Sequence, residues 1–469
     1  MNRILLLVAA CTGFASVANA GEMQRIGHTT LLPRNSNPDD KGLYAAVIDP
    51  TNGYAYFVGN YLFKLDITGN LPVQVGPAVY AGQPIQGTID VAAGYAYFGK
   101  VTLSRYSLGI GTNPVTAAGT LSLAAGSAAS VAVDDSDPNP ANHYAYVLCT
   151  TPGSPAKVAK VSLATFTELN SIILNSDETN FLFGTVADAQ KGYVYFVTSP
   201  GLSGSPHVLK VKMTPGTNAP VRIGAVDLGV AELIDGGCID TVHGYAYYGT
   251  YNSDTNVVGK IFKVKLESGD VSPTLIGHIN LHPGEARLAG NVVDPVNGFV
   301  YFANDNTYPG GIYQLNLNGT NLPTEIRYFQ CVGGPQTPPP NGITASNTTT
   351  NSDGILPYGE VFFRSGVFDS VRGYAYFGQD SRPNQVVKIK LAQIDPIKLS
   401  NPQMQSNGAF KFSFTNIIGA GFTSLMATNI ILPLSNWIVL GSITDSPPGQ
   451  YEFTAAASHA ESFFSIRSQ

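Results

Sequence analysis

One short phrase recurs seven times along the 469-residue chain: Gly or His, an aromatic, a small residue, a second aromatic, then a large apolar residue. It first reads Gly53-Tyr54-Ala55-Tyr56-Phe57 and returns at Tyr95-Ala96-Tyr97, Tyr144-Ala145-Tyr146, Tyr193-Val194-Tyr195, Tyr245-Ala246-Tyr247, Phe299-Val300-Tyr301 and Tyr374-Ala375-Tyr376. A unit of this size cannot bury its own apolar face, so it is stable only when stacked on its neighbours. The repeat therefore constrains the architecture before any single residue does.

The fifth copy displays the unit most plainly. Gly237-Cys238-Ile239-Asp240 is followed by a turn, then by Tyr245-Ala246-Tyr247-Tyr248-Gly249, by Lys260-Ile261-Phe262-Lys263-Val264-Lys265-Leu266, and by Pro273 to Leu281. Four apolar runs of four to nine residues, rich in aromatic and β-branched side chains and separated by Gly, Pro, Asn and Asp, predict a four-stranded antiparallel sheet per copy. The chain has 50 Gly, 31 Pro and only 12% charged residues, which fits strands and turns rather than helices. The second strand is apolar on both faces. The third alternates, with Lys160, Lys210, Lys263 and Lys388 opposite the apolar face, which predicts a position nearer the periphery. The expected fold is all-β, a seven-bladed β-propeller. Its seventh copy lacks a fourth strand, and residues 24–33, which match 275–283 closely around Gly27-His28 and Gly277-His278, are expected to supply it and close the ring.

Residues 1–20 carry a charged start, a short apolar run and Ala18-Asn19-Ala20, the pattern of a cleaved signal peptide. A competing reading takes Val8-Ala9-Ala10-Cys11 as a lipobox. The propeller is expected over 21–395, with an insertion at 330–364 that contains Pro338-Pro339-Pro340. Residues 396–469 read as a separate C-terminal β-sandwich around Trp437, the only tryptophan. No run approaches the roughly 20 apolar residues of a membrane-spanning helix. The expected location is secreted, periplasmic or at the cell surface.

Repetition decides how most conspicuous residues are read. The tyrosine pairs recur in every copy, as interlocking core packing requires, so they are assigned to the core rather than to sugar stacking. Asp49, Asp90, Asp188, Asp240, Asp294 and Asp369 each stand four residues before the Gly of the phrase, where a carboxylate accepts from turn N–H groups. Cys149, Cys238 and Cys331 follow no metal spacing and allow at most one disulfide. The seven histidines are dispersed, no metal site is expected, and no nucleophile elbow, zinc helix or phosphate loop is present. A formal net charge of -6 with scattered basic residues gives no footprint for nucleic acid.

What varies is one set of connections. In an up-and-down sheet, the loop joining strands two and three leaves on the same side as the link from strand four to the next sheet. That side carries Tyr251, Asn252, Asp254, Asn304, Asp305, Tyr308, Asp380 and Arg382, and the preceding links bring Glu178, Glu232, Glu285 and Glu360. Variable loops on a rigid scaffold are where binding usually sits. These twelve residues are the candidate ligand-binding set, with Arg287 and Arg364 as alternative partners for the glutamates. No catalytic residue is assigned.

The Gly-Tyr-x-Tyr phrase and the Lys-Val-x-Leu strand resemble those of secreted seven-bladed propellers of the YVTN, surface-layer type. The tail is similar to a module found at the carboxyl end of exported Verrucomicrobia-type proteins, through Trp437-Ile438-Val439-Leu440-Gly441, Tyr451-Glu452-Phe453 and Phe463-Phe464-Ser465-Ile466-Arg467. It departs at Phe464-Ser465 from the usual Phe-Tyr-Arg-Val. The resemblance implies an exported bacterial propeller; together with the variable loop face, the expected function is non-catalytic binding of an extracellular polysaccharide or an envelope protein, without a cofactor. A propeller enzyme of lactonase, lyase or quinone-dependent dehydrogenase type is the alternative, and a structural envelope component a third.

Overall fold

The computed structural model describes residues 23–32, 42–199, 204–251, 258–283, 287–305, 310–331, 362–380, 384–394, 397–417, 419–447, 449–456 and 462–468. The signal segment and most of the 330–364 insertion lie outside them. Within them the chain is all-β, with no α-helix and three single turns of 3-10 helix. No helix is long and apolar enough to cross a membrane.

Nine sheets are present among the described residues, and seven of them follow the repeat. We number these one to seven: residues 45–80, 86–121, 127–173, 180–227, 233–283, 288–330, and 363–390 together with Gln24–Thr30. In each, consecutive strands pair antiparallel. The first strands lie against one another in chain order, and the first strand of sheet seven lies against that of sheet one. Sheet one departs from the four-stranded expectation. Its last strand is split into Val73–Gln74 and Val79–Tyr80, because Gly76 takes a left-handed φ of 67° and Pro77 has no N–H to give to a ladder.

Strand Gln24–Thr30 pairs with Gln385–Lys390 as the outer strand of sheet seven. The match extends to a bulge. Gly27 pairs with Lys388 and Arg25 with Ile389, skipping Ile26, just as Gly277 pairs with Lys263 and Leu275 with Val264, skipping Ile276. The glycine leaves room for the neighbouring sheet: a Cβ on Gly27 would lie 2.7 Å from a methyl of Leu71 and one on Gly277, whose φ is 143°, 3.2 Å from a methyl of Leu322.

The local chemistry of the phrase follows its sequence. Each turn aspartate accepts from the backbone three residues on, as in Asn52 N to Asp49 Oδ1 at 3.0 Å and His243 N to Asp240 Oδ1 at 3.0 Å. The glycine before the aromatic is left-handed in six copies, with φ between 73° and 78°, a region that costs any residue with a Cβ. The second aromatic of every pair is buried. The three cysteines are free and buried.

The lysines of the third strands are not peripheral, contrary to the alternation in the sequence. Lys64, Lys160, Lys210, Lys263 and Lys388 are all buried. Each ammonium lies over the first tyrosine of its own sheet, 4.0 to 4.3 Å from the ring centroid. Each also donates to backbone carbonyls in the next sheet. Lys263 Nζ donates to Leu317 O at 2.7 Å and Asn321 O at 2.8 Å, and Lys210 Nζ to Glu267 O and Gly269 O, both at 2.7 Å. Lys388 of sheet seven reaches Gly69 O of sheet one at 2.8 Å. Burial lowers Lys160 and Lys263 to about 8, which leaves the ammonium protonated at neutral pH.

The tail residues form two three-stranded sheets. One holds Ser400–Met404, Ala409–Thr415 and Gln450–Ala456, the other Ile438–Ile443, Phe422–Ala427 and Phe463–Ser468. They meet through aromatic contacts such as Phe414 with Phe422 and Phe422 with Tyr451, at 5.0 and 4.8 Å between centroids. Asn316 donates to Gly419 O, which ties them to sheet six.

Two outcomes test this packing. Replacing Lys263 with Met leaves buried carbonyls without a charged donor and is expected to cost about 2–3 kcal/mol, whereas Lys212→Met, a half-exposed surface pair, should cost less than about 1 kcal/mol; equal denaturation midpoints for the two would contradict the role assigned to Lys263. Removing residues 23–32 strips the outer strand from sheet seven and should lower the cooperative melting temperature of the seven repeat sheets. Melting at the full-length temperature would show that the strand is dispensable.

Candidate functional site

The first strands carry an irregularity that the repeat hides. In sheets three, five, six and seven the pairing with strand two skips one residue: Ala129, Asp235, Ala289 and Arg364 respectively. Sheet four skips a longer stretch that includes Phe183. A bulge leaves its extra residue outside the ladder and turns its side chain. Each of these residues stands five before the turn aspartate, and the equivalents in sheets one and two are Tyr44 and Ile85. Five of the seven, Tyr44, Ile85, Phe183, Asp235 and Arg364, line one cavity of about 240 Å³ together with Leu233, Ile234 and Tyr251. A second, shallower space of about 170 Å³ continues from it along first strands of six sheets.

Around this cavity lies a buried ionic cluster drawn from three consecutive sheets. Arg287 Nη2 and Arg364 Nε each stand 3.1 Å from Asp305 Oδ2. Arg364 is also 3.5 Å from Asp235 Oδ2 and 3.5 Å from Asp380 Oδ2. The positions follow from topology, since Asp235, Arg287 and Arg364 begin first strands while Asp305 and Asp380 follow second strands, at the same end of every sheet. The backbone fixes them: Asp305 N donates to Arg287 O at 2.9 Å and Asp380 N to Phe362 O at 2.8 Å. Phe362 holds a left-handed φ of 56° just before Arg364, a strain found where the surroundings over-determine a residue.

Burial dominates the electrostatics. It pushes the Asp305 carboxyl up to about 7 against the pull of Arg364 and Arg287, and it raises Asp235 in the same way. The Tyr44 phenol is raised by burial and by the Asp380 charge. Arg287 stacks over Tyr251 at 4.6 Å and Arg364 over Tyr44 at 5.5 Å.

Of the candidate residues, Tyr251, Asp305 and Asp380 come together here, with Asn304 buried next to Asp305. Glu178 and Glu232 do not join them. Glu178 is buried and receives both Arg222 Nε at 3.0 Å and Arg222 Nη2 at 2.6 Å, besides Asn175 N at 2.9 Å. Glu232 pairs with Lys260, which holds its carboxyl below the usual range against the upward push of burial. Both act between strands. Asn252, Asp254, Tyr308, Arg382, Glu285 and Glu360 lie outside the described residues. Tyr44, Phe183 and Asp235 were missed by the sequence reading, as was the role of Arg364 as hub of the cluster.

Two larger crevices, of about 440 and 360 Å³, lie at the opposite end of the sheets. They share one corner of the repeat, Asp49, Tyr54 and Tyr56 in one and Asp240, Tyr245 and Tyr247 in the other, but the smaller is also walled by Gly421, Thr423 and Arg467 of the tail. Among the described residues no three His, Cys, Asp or Glu side chains are grouped to hold a metal ion.

No family of known sequences matches the chain, and no curated protein does. Solved structures do. The chain is similar to the WD40 repeats of RRP9, at 10% identity over 78% of this chain and 99% of that one, with a TM-score of 0.51. The β-propeller domain of Myceliophteria thermophila Cps50 (Swd1) matches at 8% identity over 77% and 99%, with a TM-score of 0.50. The fold is a β-propeller. Hydrazine synthase from Kuenenia stuttgartiensis also matches, at 9% identity over 74% and 96%, with a TM-score of 0.50. At these identities the likeness is one of fold alone, and propellers host unrelated functions.

The cluster makes a pH-dependent contribution of known sign. A carboxyl whose native pKa of about 7 lies above its ordinary 3.8 contributes stability below about pH 4 and loses it as pH rises through 7. Wild-type stability measured by chemical denaturation should therefore fall between pH 4 and 7 relative to Asp305→Asn. Parallel curves for the two proteins would contradict the assignment.

Proposed function

We propose that this chain is an exported, non-catalytic propeller of seven blades, closed by its N-terminal strand, that binds a protein at the cell surface through the end of the sheets carrying Tyr44, Tyr251 and Arg364. The 396–469 residues are then a small β-sandwich used for attachment or sorting. The seven-blade reading is supported by seven tyrosine phrases, seven consecutive sheets and the contact between the first strands of sheets seven and one.

The observation that carries the binding reading is the cavity at the bulge positions. There equivalent residues of successive sheets differ in kind, from Ile85 to Asp235 to Arg364, beside a charged cluster held by the backbone. A protein is preferred over a polysaccharide because Tyr44 and Tyr251, the rings placed to stack on a sugar, already carry guanidinium groups. The raised carboxyl of Asp305 favours the enzyme alternative, since a group near 7 is suited to acid-base chemistry. Its position speaks against it: Asp305 is buried behind Arg364 and lines neither central cavity.

The test is retention of purified protein by cell-envelope fractions. Wild type should be retained, and Tyr251→Ala or Asp380→Asn should reduce retention by about tenfold, an effect of roughly 1.4 kcal/mol, while each variant still unfolds cooperatively. Protease treatment of the envelope should abolish retention. Loss after glycosidase treatment instead would move the partner to a polysaccharide, and unchanged retention of both variants would remove this face from the function.

A further inference from the structure

We propose that the cavity at the bulge positions receives a single cationic side chain, lysine or arginine, presented by the bound partner and met by Asp235. The inference rests on the binding reading above and names the chemistry of what is bound.

Charge is the first ground. Among the described residues the cluster holds three carboxylates, Asp235, Asp305 and Asp380, against two guanidinium groups, Arg287 and Arg364, so the fully ionised cluster carries 2 - 3 = -1. Of the three carboxylates Asp235 is the one that meets the cavity, and among the described charges it pairs with Arg364 alone, at 3.5 Å. Asp305 Oδ2 lies 3.1 Å from both arginines, though without accepting a hydrogen bond from either, and lines neither space. Yet the Asp235 side chain is only 4% exposed, and it forms part of the wall of both central spaces. A buried carboxylate served this weakly is costly unless something else pairs with it.

The shape of the cavity narrows the occupant. At about 240 Å³ it is below the roughly 300–1,000 Å³ of ordinary small-molecule sites and suits one long side chain. Ile85, Phe183, Leu233 and Ile234 give apolar walls for a methylene stem, with Asp235 beside them for its charged head. An anion is disfavoured because Arg364 already faces three carboxylates. A multivalent metal ion is disfavoured because the arginines stand between the aspartates, which do not group into a ligand set. The groups facing Asp235 are Arg364 and, further off, Arg287. Burial already raises the Asp235 carboxyl, so an incoming cation competes with a proton and binding should strengthen as pH rises.

The experiment is calorimetric titration of the full-length protein with Nα-acetyl-arginine amide and Nα-acetyl-lysine amide, against the neutral Nα-acetyl-citrulline amide and the anionic Nα-acetyl-glutamate amide. At least one cationic amide should bind about tenfold or more tightly than citrulline amide, and more weakly at about pH 5 than at about pH 8. Asp235→Asn should lose about tenfold in affinity, and Leu233→Trp, which fills the cavity and leaves every charge in place, should block binding. Citrulline amide binding as well as arginine amide, binding unchanged in Asp235→Asn, or no saturable binding of either cation would overturn the proposal. Envelope retention keeps the two readings apart. If no cation binds while Tyr251→Ala still loses retention, the face stands and the cationic ligand falls. If Tyr251→Ala retains fully, the face itself falls.

Discussion

The interaction on which the rest of the molecule depends is a buried ammonium shared between two sheets. A lysine head placed in a low-dielectric interior is costly unless its donors are used, and here each head is held from two sides. The tyrosine of its own sheet offers a π-face at about 4 Å, and the carbonyls of the next sheet's outer turn accept its hydrogen bonds. The phenol of the second tyrosine donates to that same turn, as Tyr195 does to Leu266 O and Tyr376 to Ile67 O. Apolar contact between sheets is non-directional and would tolerate sliding. A charged donor aimed at one to four specific carbonyls does not, so the lysines set the angle at which their sheets meet the next.

The exceptions follow the same logic. Sheet two has Arg105 in place of lysine, and its guanidinium reaches Leu163 O of sheet three at 3.3 Å while stacking on Tyr95 and Phe166. Sheet six has Gln314 at the corresponding position, paired with the bulge at Ile326. Its neighbour is sheet seven, whose outer strand comes from the start of the chain and which therefore has no turn between strands three and four. Among the described residues no ammonium is placed at that junction. The lysine of sheet seven in turn crosses to Gly69 of sheet one, at the junction where the two ends of the repeat array meet.

Much of this could be read from the sequence, because it repeats. The tyrosine phrase, the turn aspartate and the displaced N-terminal strand were legible for that reason: seven copies of a pattern average out the accidents of any one. The lysines were legible in position but not in environment. Period-two alternation separates two faces of a strand without saying whether the polar face meets water or a neighbour's backbone. The split last strand of sheet one was not legible, since Val73 and Val79 each look like ordinary strand residues until Gly76 and Pro77 break the ladder between them. Glu178 and Glu232 are candidate binding residues in the sequence, yet Glu178 is consumed by Arg222 on the outer strand of sheet four and Glu232 by Lys260 on the third strand of sheet five.

The candidate site was only half legible, for the converse reason. Its residues occupy a repeated backbone position and differ in every sheet that contributes to the cavity: Tyr44, Ile85, Phe183, Asp235, Arg364. A bulge is a backbone event with no residue signature of its own here, so the side chains it turns inward cannot be recognised one copy at a time. Compared across copies they stand out, because the position five before the turn aspartate is flanked by strongly patterned residues and is itself unpatterned. Packing between near-identical sheets demands near-identical residues, and a position released from that demand is free to be chosen for something else. In this chain that freedom coincides with an aspartate and an arginine that are expensive to bury. The energy that the lysine contacts put into fixing the sheets is what keeps those two charges in place at the centre.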